Sequence, residues 1–145
     1  MAFRFSLAAV LRLREIDEQR EERLLTQILA QLAQTRMALE SVERQLGEAA
    51  RQRETSLQAS TGAAELQSCY ALAAALRERR QRTVEELASV GRRREEQMRV
   101  YQAAHQAHEV LRTMEAEQRA GYTAEQARRE QKIQDDTFLA RRGRR

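Results

Sequence analysis

The sequence predicts an all-α fold: a long antiparallel two-helix coiled-coil hairpin with an overhanging C-terminal helix. Three observations lead there. Apolar residues recur with heptad spacing, the 145 residues include no proline, and a single glycine-containing break divides the chain unequally. Composition agrees. Charged residues make up 33% and aromatics 4%, with no tryptophan, so the chain cannot fill a thick globular core. All 145 residues are read as one coiled-coil rod, with helix one over about 5–59, a turn at 60–62 and helix two over about 63–141.

The first helix carries the stronger signal. Leu25, Leu32, Leu39 and Leu46 are spaced by sevens, and Ile28, Thr35, Val42 and Ala49 fill the alternate positions. This a/d seam needs a second helix to cover it. Upstream lie Phe3, Leu7, Val10, Leu11, Leu13 and Ile16, but Asp17 to Arg23 is entirely polar, so the seam thins there.

Ala59-Ser60-Thr61-Gly62 reads as a helix stop and restart, because a glycine adjoins two residues that compete for backbone hydrogen bonds. Glu65 then sits in the first turn of the second helix, where the macrodipole favours an acid. The second seam runs Cys69, Leu76, Thr83, Val90, Gln97, Ala104, Leu111 in one column. The other column is Ala73, Arg80, Leu87, Arg94, Tyr101, His108. Two arginines and a histidine make it the poorer seam.

A short link makes the helices antiparallel neighbours. With the turn centred near Thr61, facing residue numbers should total roughly 122. Leu46 then meets Leu76, Leu39 meets Thr83, Leu32 meets Val90 and Ile28 meets Arg94, with the tightest packing expected near the turn. The first helix runs out opposite about residue 120, leaving Gly121 to Arg145 uncovered. Gly121-Tyr122-Thr123 offers a joint, since Thr123 with Gln126 has capping-box spacing.

A narrow seam leaves no interior for chemistry, so the expected function is contact with partners. No nucleophile motif, phosphate loop or HExxH is present, and no enzyme, cofactor or metal is expected. His105 and His108 lie three apart with Glu109 beside them, but further zinc ligands are missing, and they read as one seam and one solvated histidine. Cys69 is the one cysteine, and with no secretory-type leader or spanning segment the chain reads as cytosolic.

Charge is uneven. The net charge is +4, and residues 118–145 alone carry eight Arg or Lys against four Asp or Glu. Arginine runs at Arg77–Arg82 and Arg92–Arg94 are balanced by neighbouring glutamates, whereas Arg141–Arg145 is not. Without interleaved aromatics, nucleic acid is not the expected partner. Phe3, Phe5, Tyr122 and Phe138 stand near the two termini, either packed on each other or presented to a partner.

The ends carry a resemblance. Phe5-x-Leu7-x-x-Val10-Leu11-x-x-Arg14-x-x-x-Glu18 resembles the start of the FliJ family, a small cytosolic component of flagellar type III export. Gly62-Ala63-Ala64-Glu65-Leu66 with Tyr70 is similar to that family's hairpin turn. Glu130-Gln131-Lys132, Asp135-Asp136 and the terminal arginines resemble its C-terminal signature. The resemblance implies a rod like the γ stalk of rotary ATPases, peripheral at the inner-membrane export apparatus through its partners. Those partners would be a hexameric flagellar export ATPase, the cytosolic part of the export gate, and export chaperones. It implies ring contacts at Phe5, Leu7, Val10, Arg14, Phe138, Arg141 and Arg142, and gate contacts at Tyr70, Leu72 and Leu76. Two other readings fit the residues alone: a coiled-coil scaffold or adaptor that pairs with another helix, and a basic-tailed binder of nucleic acid or membrane surface with steep salt dependence.

Overall fold

The computed structural model describes residues 2–143. Two α-helices account for nearly all of them: α1 over Ala8–Gln58 and α2 over Ala63–Arg142. The described residues contain no strand, and the helices pack as an antiparallel hairpin with an overhanging C-terminal helix. The chain divides into a terminal unit, Met1–Glu21 with Tyr101–Arg145, and a turn unit, Glu22–Val100.

In the turn unit the seam follows the heptads. Leu25, Leu32, Thr35, Val42 and Ala49 of α1 are buried, as are Ala73, Leu76, Thr83 and Val90 of α2, while Ile28, Leu39 and Leu46 are half-buried. Val42 and Val90, 1% and 2% exposed, mark the tightest packing. That maximum lies away from the turn, contrary to expectation, because Leu57, Tyr70 and Leu72 beside the turn remain exposed. Thr35 and Thr83 are tolerated in the seam because each hydroxyl donates to the carbonyl four residues back, Gln31 and Arg79, at 2.9 Å. Among the described residues no buried side-chain N or O lacks a partner.

The two seam arginines are absent from the interior. Burying a guanidinium without a matched acid costs more than the seam gains. Arg80 turns outward and donates through Nε to the Glu43 carboxylate at 3.2 Å. Arg94 is exposed, and half-buried Gly91 and Met98 carry the seam past it. Ile28 consequently lines a groove with Arg93, Gln97 and Val100 instead of facing Arg94. The pairs Arg80 with Glu43 and Arg93 with Gln31 nevertheless meet the expected register within a few residues.

The turn is built by a serine. Ser60 takes φ 54°, and its N–H donates to the Leu57 carbonyl at 3.4 Å while the Thr61 N–H donates to that of Ser56 at 3.2 Å. This pair of bonds is the Schellman closure, with the Thr61 hydroxyl adding a third at 2.6 Å to Ser56. Gly62 does not use a positive φ. Its carbonyl instead accepts the first bond of α2, from the Leu66 N–H at 3.3 Å. The capping box proposed at Thr123 is also absent: α2 continues through Gly121, and the Thr123 hydroxyl donates back to the Arg119 carbonyl at 2.9 Å.

Two stability outcomes follow. Val42→Ala should cost about 2 kcal/mol in thermal or urea unfolding followed by circular dichroism, whereas Leu139→Ala should stay within about 0.5 kcal/mol. Ser60→Gly should raise stability by about 0.5–1 kcal/mol, because glycine enters the left-handed region without the Cβ penalty.

Candidate functional site

With the seam committed to helix pairing, the surfaces left for partners are exposed side chains at the ends of the two units. In the terminal unit the chain enters α1 through the Ala8 N–H to Phe5 carbonyl bond at 3.2 Å. Its aromatics divide sharply. Phe5, one of the ring contacts that the resemblance implies, is 8% exposed and belongs to the interior. Phe3 lies 5.7 Å from the Tyr122 ring, tilted by 49°, with the Arg119 guanidinium 5.5 Å above it. The N-terminal aromatics are therefore used to pack on α2.

Phe138 is the opposite case. It and Leu139 are each 63% exposed, and every residue from 127 to 143 is exposed. This segment holds Arg128, Arg129, Lys132, Arg141 and Arg142 against Glu130, Asp135 and Asp136. Arg141 and Arg142 occupy the last turn, where they complement the helix dipole while remaining accessible. Arg144 and Arg145 of the same basic run lie outside the described residues. Among the other sequence-predicted contacts here, Leu7 is half-buried, Val10 is exposed, and Arg14 is exposed beside Asp17 at 3.8 Å.

The predicted gate contacts also divide. Leu76 is 8% exposed and packs in the seam. Tyr70 is exposed, with the Arg53 guanidinium 5.5 Å from its ring centre, and Leu72 is exposed at the edge of a groove of about 180 Å³ with Gln45, Glu48, Ala49 and Gln52. A larger groove in the same unit, about 380 Å³, has Leu24, Ile28 and Val100 as its apolar lining, between Gln31 and Arg93. The Arg93 guanidinium donates to the Gln31 side-chain oxygen at 3.1 Å.

One cluster was only half visible in the sequence. His108 is the shielded histidine and His105 the exposed one, but the two share a partner that the sequence reading did not assign. Both imidazoles bind the Glu18 carboxylate, the His105 Nδ1–H donating to one oxygen at 2.8 Å and the His108 Nδ1–H to the other. Glu18 and His108 are each 17% exposed. The hydrogen bond from His105 holds the Glu18 carboxyl below its ordinary value of 4.5. The same bond, helped by the negative charges of Glu18 and Glu109, raises His105 above the usual 6.5. The signal for Glu18 was present: the antiparallel register places it opposite Ala104, beside His105 and one helical turn before His108. Among the described residues no three His, Cys, Asp or Glu side chains are placed to hold a metal ion. Cys69 is half-buried and has no disulfide partner.

Phe3→Ala should remove both ring contacts and shift the Tyr122 aromatic NMR resonances, at a cost of about 1 kcal/mol. Phe138→Ala should leave helicity and melting unchanged, separating the packed aromatic from the presented one.

Among the described residues no helix is long and apolar enough to cross a membrane. No match was found among the curated proteins or the solved structures. A family model described as "Flagellar FliJ protein" matches residues 3–145, almost the full length. The two-helix hairpin, its register and this match agree, and the chain belongs to the FliJ family of flagellar export-associated proteins.

Proposed function

We propose that this chain is a central stalk of the flagellar export apparatus. It binds the hexameric export ATPase ring, promotes ring assembly and ATP hydrolysis, and reaches the cytosolic part of the export gate and the export chaperones. It works on the cytoplasmic side, held near the inner membrane through those partners. The observation that carries this reading is the uncovered segment 127–143, an exposed helix ending in Phe138, Leu139, Arg141 and Arg142. An apolar pair beside two guanidiniums suits a lumen offering apolar and acidic groups, with Val10 and Arg14 adding contact from α1. Catalytic groups are not required of it. A stalk shifts its ring by binding subunits in one nucleotide state more tightly than in another, and the difference in affinity limits the effect. Tyr70 and Leu72 are the proposed gate contacts, on the other unit.

The test is the ATP hydrolysis rate of the flagellar export ATPase from the same genome, with and without this chain. Stimulation together with hexamer formation is the expected result. Replacing Phe138, Arg141 and Arg142 together by alanine should abolish most of the stimulation without changing the circular dichroism spectrum. Tyr70→Ala with Leu72→Ala should spare stimulation and weaken binding of the gate's cytosolic domain. Absence of stimulation at both low and physiological salt would overturn the stalk reading, and steep salt-dependent capture of nucleic acid would put the basic tail in its place.

A further inference from the structure

The polar stretch Asp17–Arg23 leaves the terminal unit without an apolar seam residue on α1 where Glu18 stands. Cohesion at that level rests on one carboxylate gripping two imidazoles of α2. A carboxylate has enough lone pairs to accept both bonds, but it supplies no hydrogen, so each Nδ1 must carry one. A protonated imidazole always does. A neutral one does so in only one of its two tautomers, and in the other its Nδ1 lone pair faces the carboxylate oxygen. Bonds between two charged groups are also roughly twice as strong as neutral ones.

We propose that the Glu18–His105–His108 fork is a proton-operated clamp, which holds the two helices of the terminal unit together while the His105 imidazole is charged and slackens when His105 gives up its proton. This inference does not depend on the export reading.

The surroundings favour this role. Along α1 the charged neighbours within one turn of Glu18 are Arg14, Glu15, Asp17, Arg20, Glu21 and Glu22, and Arg14 is engaged by Asp17 at 3.8 Å. On α2 the neighbours are Glu109, which accepts from Arg112 at 3.3 Å, and Tyr101, whose ring stacks on His105 at 6.0 Å. The negative charges of Glu18 and Glu109 favour the imidazolium form of His105. Glu18 and His108 are shielded, while the His105 side chain is 47% exposed, so solvent protons reach the outer ring of the fork directly.

The sign is fixed by the two shifts. A histidine raised on folding stabilises fully below its unfolded value, and that contribution disappears as pH rises through the folded value. A carboxyl lowered on folding stabilises above its unfolded value and loses this as pH falls through the folded one. The clamp is therefore strongest between 4.5 and 6.5, the ordinary values of the two groups, and slackens toward the alkaline side.

Hydrogen exchange on the full chain tests the clamp, with rates corrected for the intrinsic pH dependence of amide exchange. Amides around Glu18 and His105 should lose about tenfold protection between about pH 6 and pH 8.5, while amides around Val42 and Val90 change by less than about twofold. In Glu18→Gln the differential response should vanish and the His105 ring, followed by NMR, should titrate at its ordinary value. His105→Asn keeps a neutral donor near the Nδ1 position and should give protection that no longer depends on pH. Uniform pH dependence in both units, or an unchanged response in Glu18→Gln with wild-type helicity, would overturn the proposal.

Discussion

The structure depends on a seam one residue wide on each helix. Burial of Leu25, Leu32, Val42 and Ala49 against Ala73, Leu76 and Val90 is the main apolar contribution available to hold the hairpin closed. Without a third layer, most of the other described side chains face water at least in part. This explains why threonines enter the seam only with their hydroxyls bonded to their own helix, and why arginines leave it. The grooves between the helices are shallow and mixed in polarity, suited to a partner's side chain.

Much of this was legible because heptad periodicity encodes both the fold and the pairing. Seven-spaced leucines marked the α1 seam, and the break near residue 61 set a register that the Arg80–Glu43 and Glu18–His105 contacts follow. Less legible was anything decided by competition within a single turn of helix. Glycine is the usual left-handed residue, yet Ser60 takes that conformation because Thr61 closes the turn twice on Ser56, through its N–H and its hydroxyl. Thr123 has capping spacing, but a helix already propagating on both sides gains more from bonding its hydroxyl to Arg119 than from breaking there. At Arg80 and Arg94 desolvation overrides the seven-residue column, and both side chains stay outside the seam.

Contact residues were harder to separate from core residues, for a physical reason. A side chain that packs on the other helix and one that packs on a partner have the same chemistry and obey the same period. Phe5 and Leu76 fit both roles on paper, and burial assigns both to the interior. Phe138 and Leu139 lie where no α1 residue remains to cover them, so their exposure follows from the unequal lengths of the two helices. Membership of the FliJ family narrows the setting to flagellar export, but does not by itself say which exposed group meets which partner.

The two kinds of adhesion in this hairpin have different consequences. Apolar burial in the turn unit is non-directional and insensitive to pH, and it holds whenever the helices are in register. In the terminal unit, a hydrogen-bonded fork stands where a seam leucine would continue the pattern, and such bonds respond to protonation and to geometry. A leucine at position 18 would give cohesion that no proton could modulate. Glutamate there, opposite two histidines, makes closure of the helices conditional. The aromatic contact between Phe3 and Tyr122 supplies the unconditional part in the same unit. Loss of the fork should therefore loosen the unit around Glu18 while the Phe3–Tyr122 contact holds, a local opening and not an unfolding.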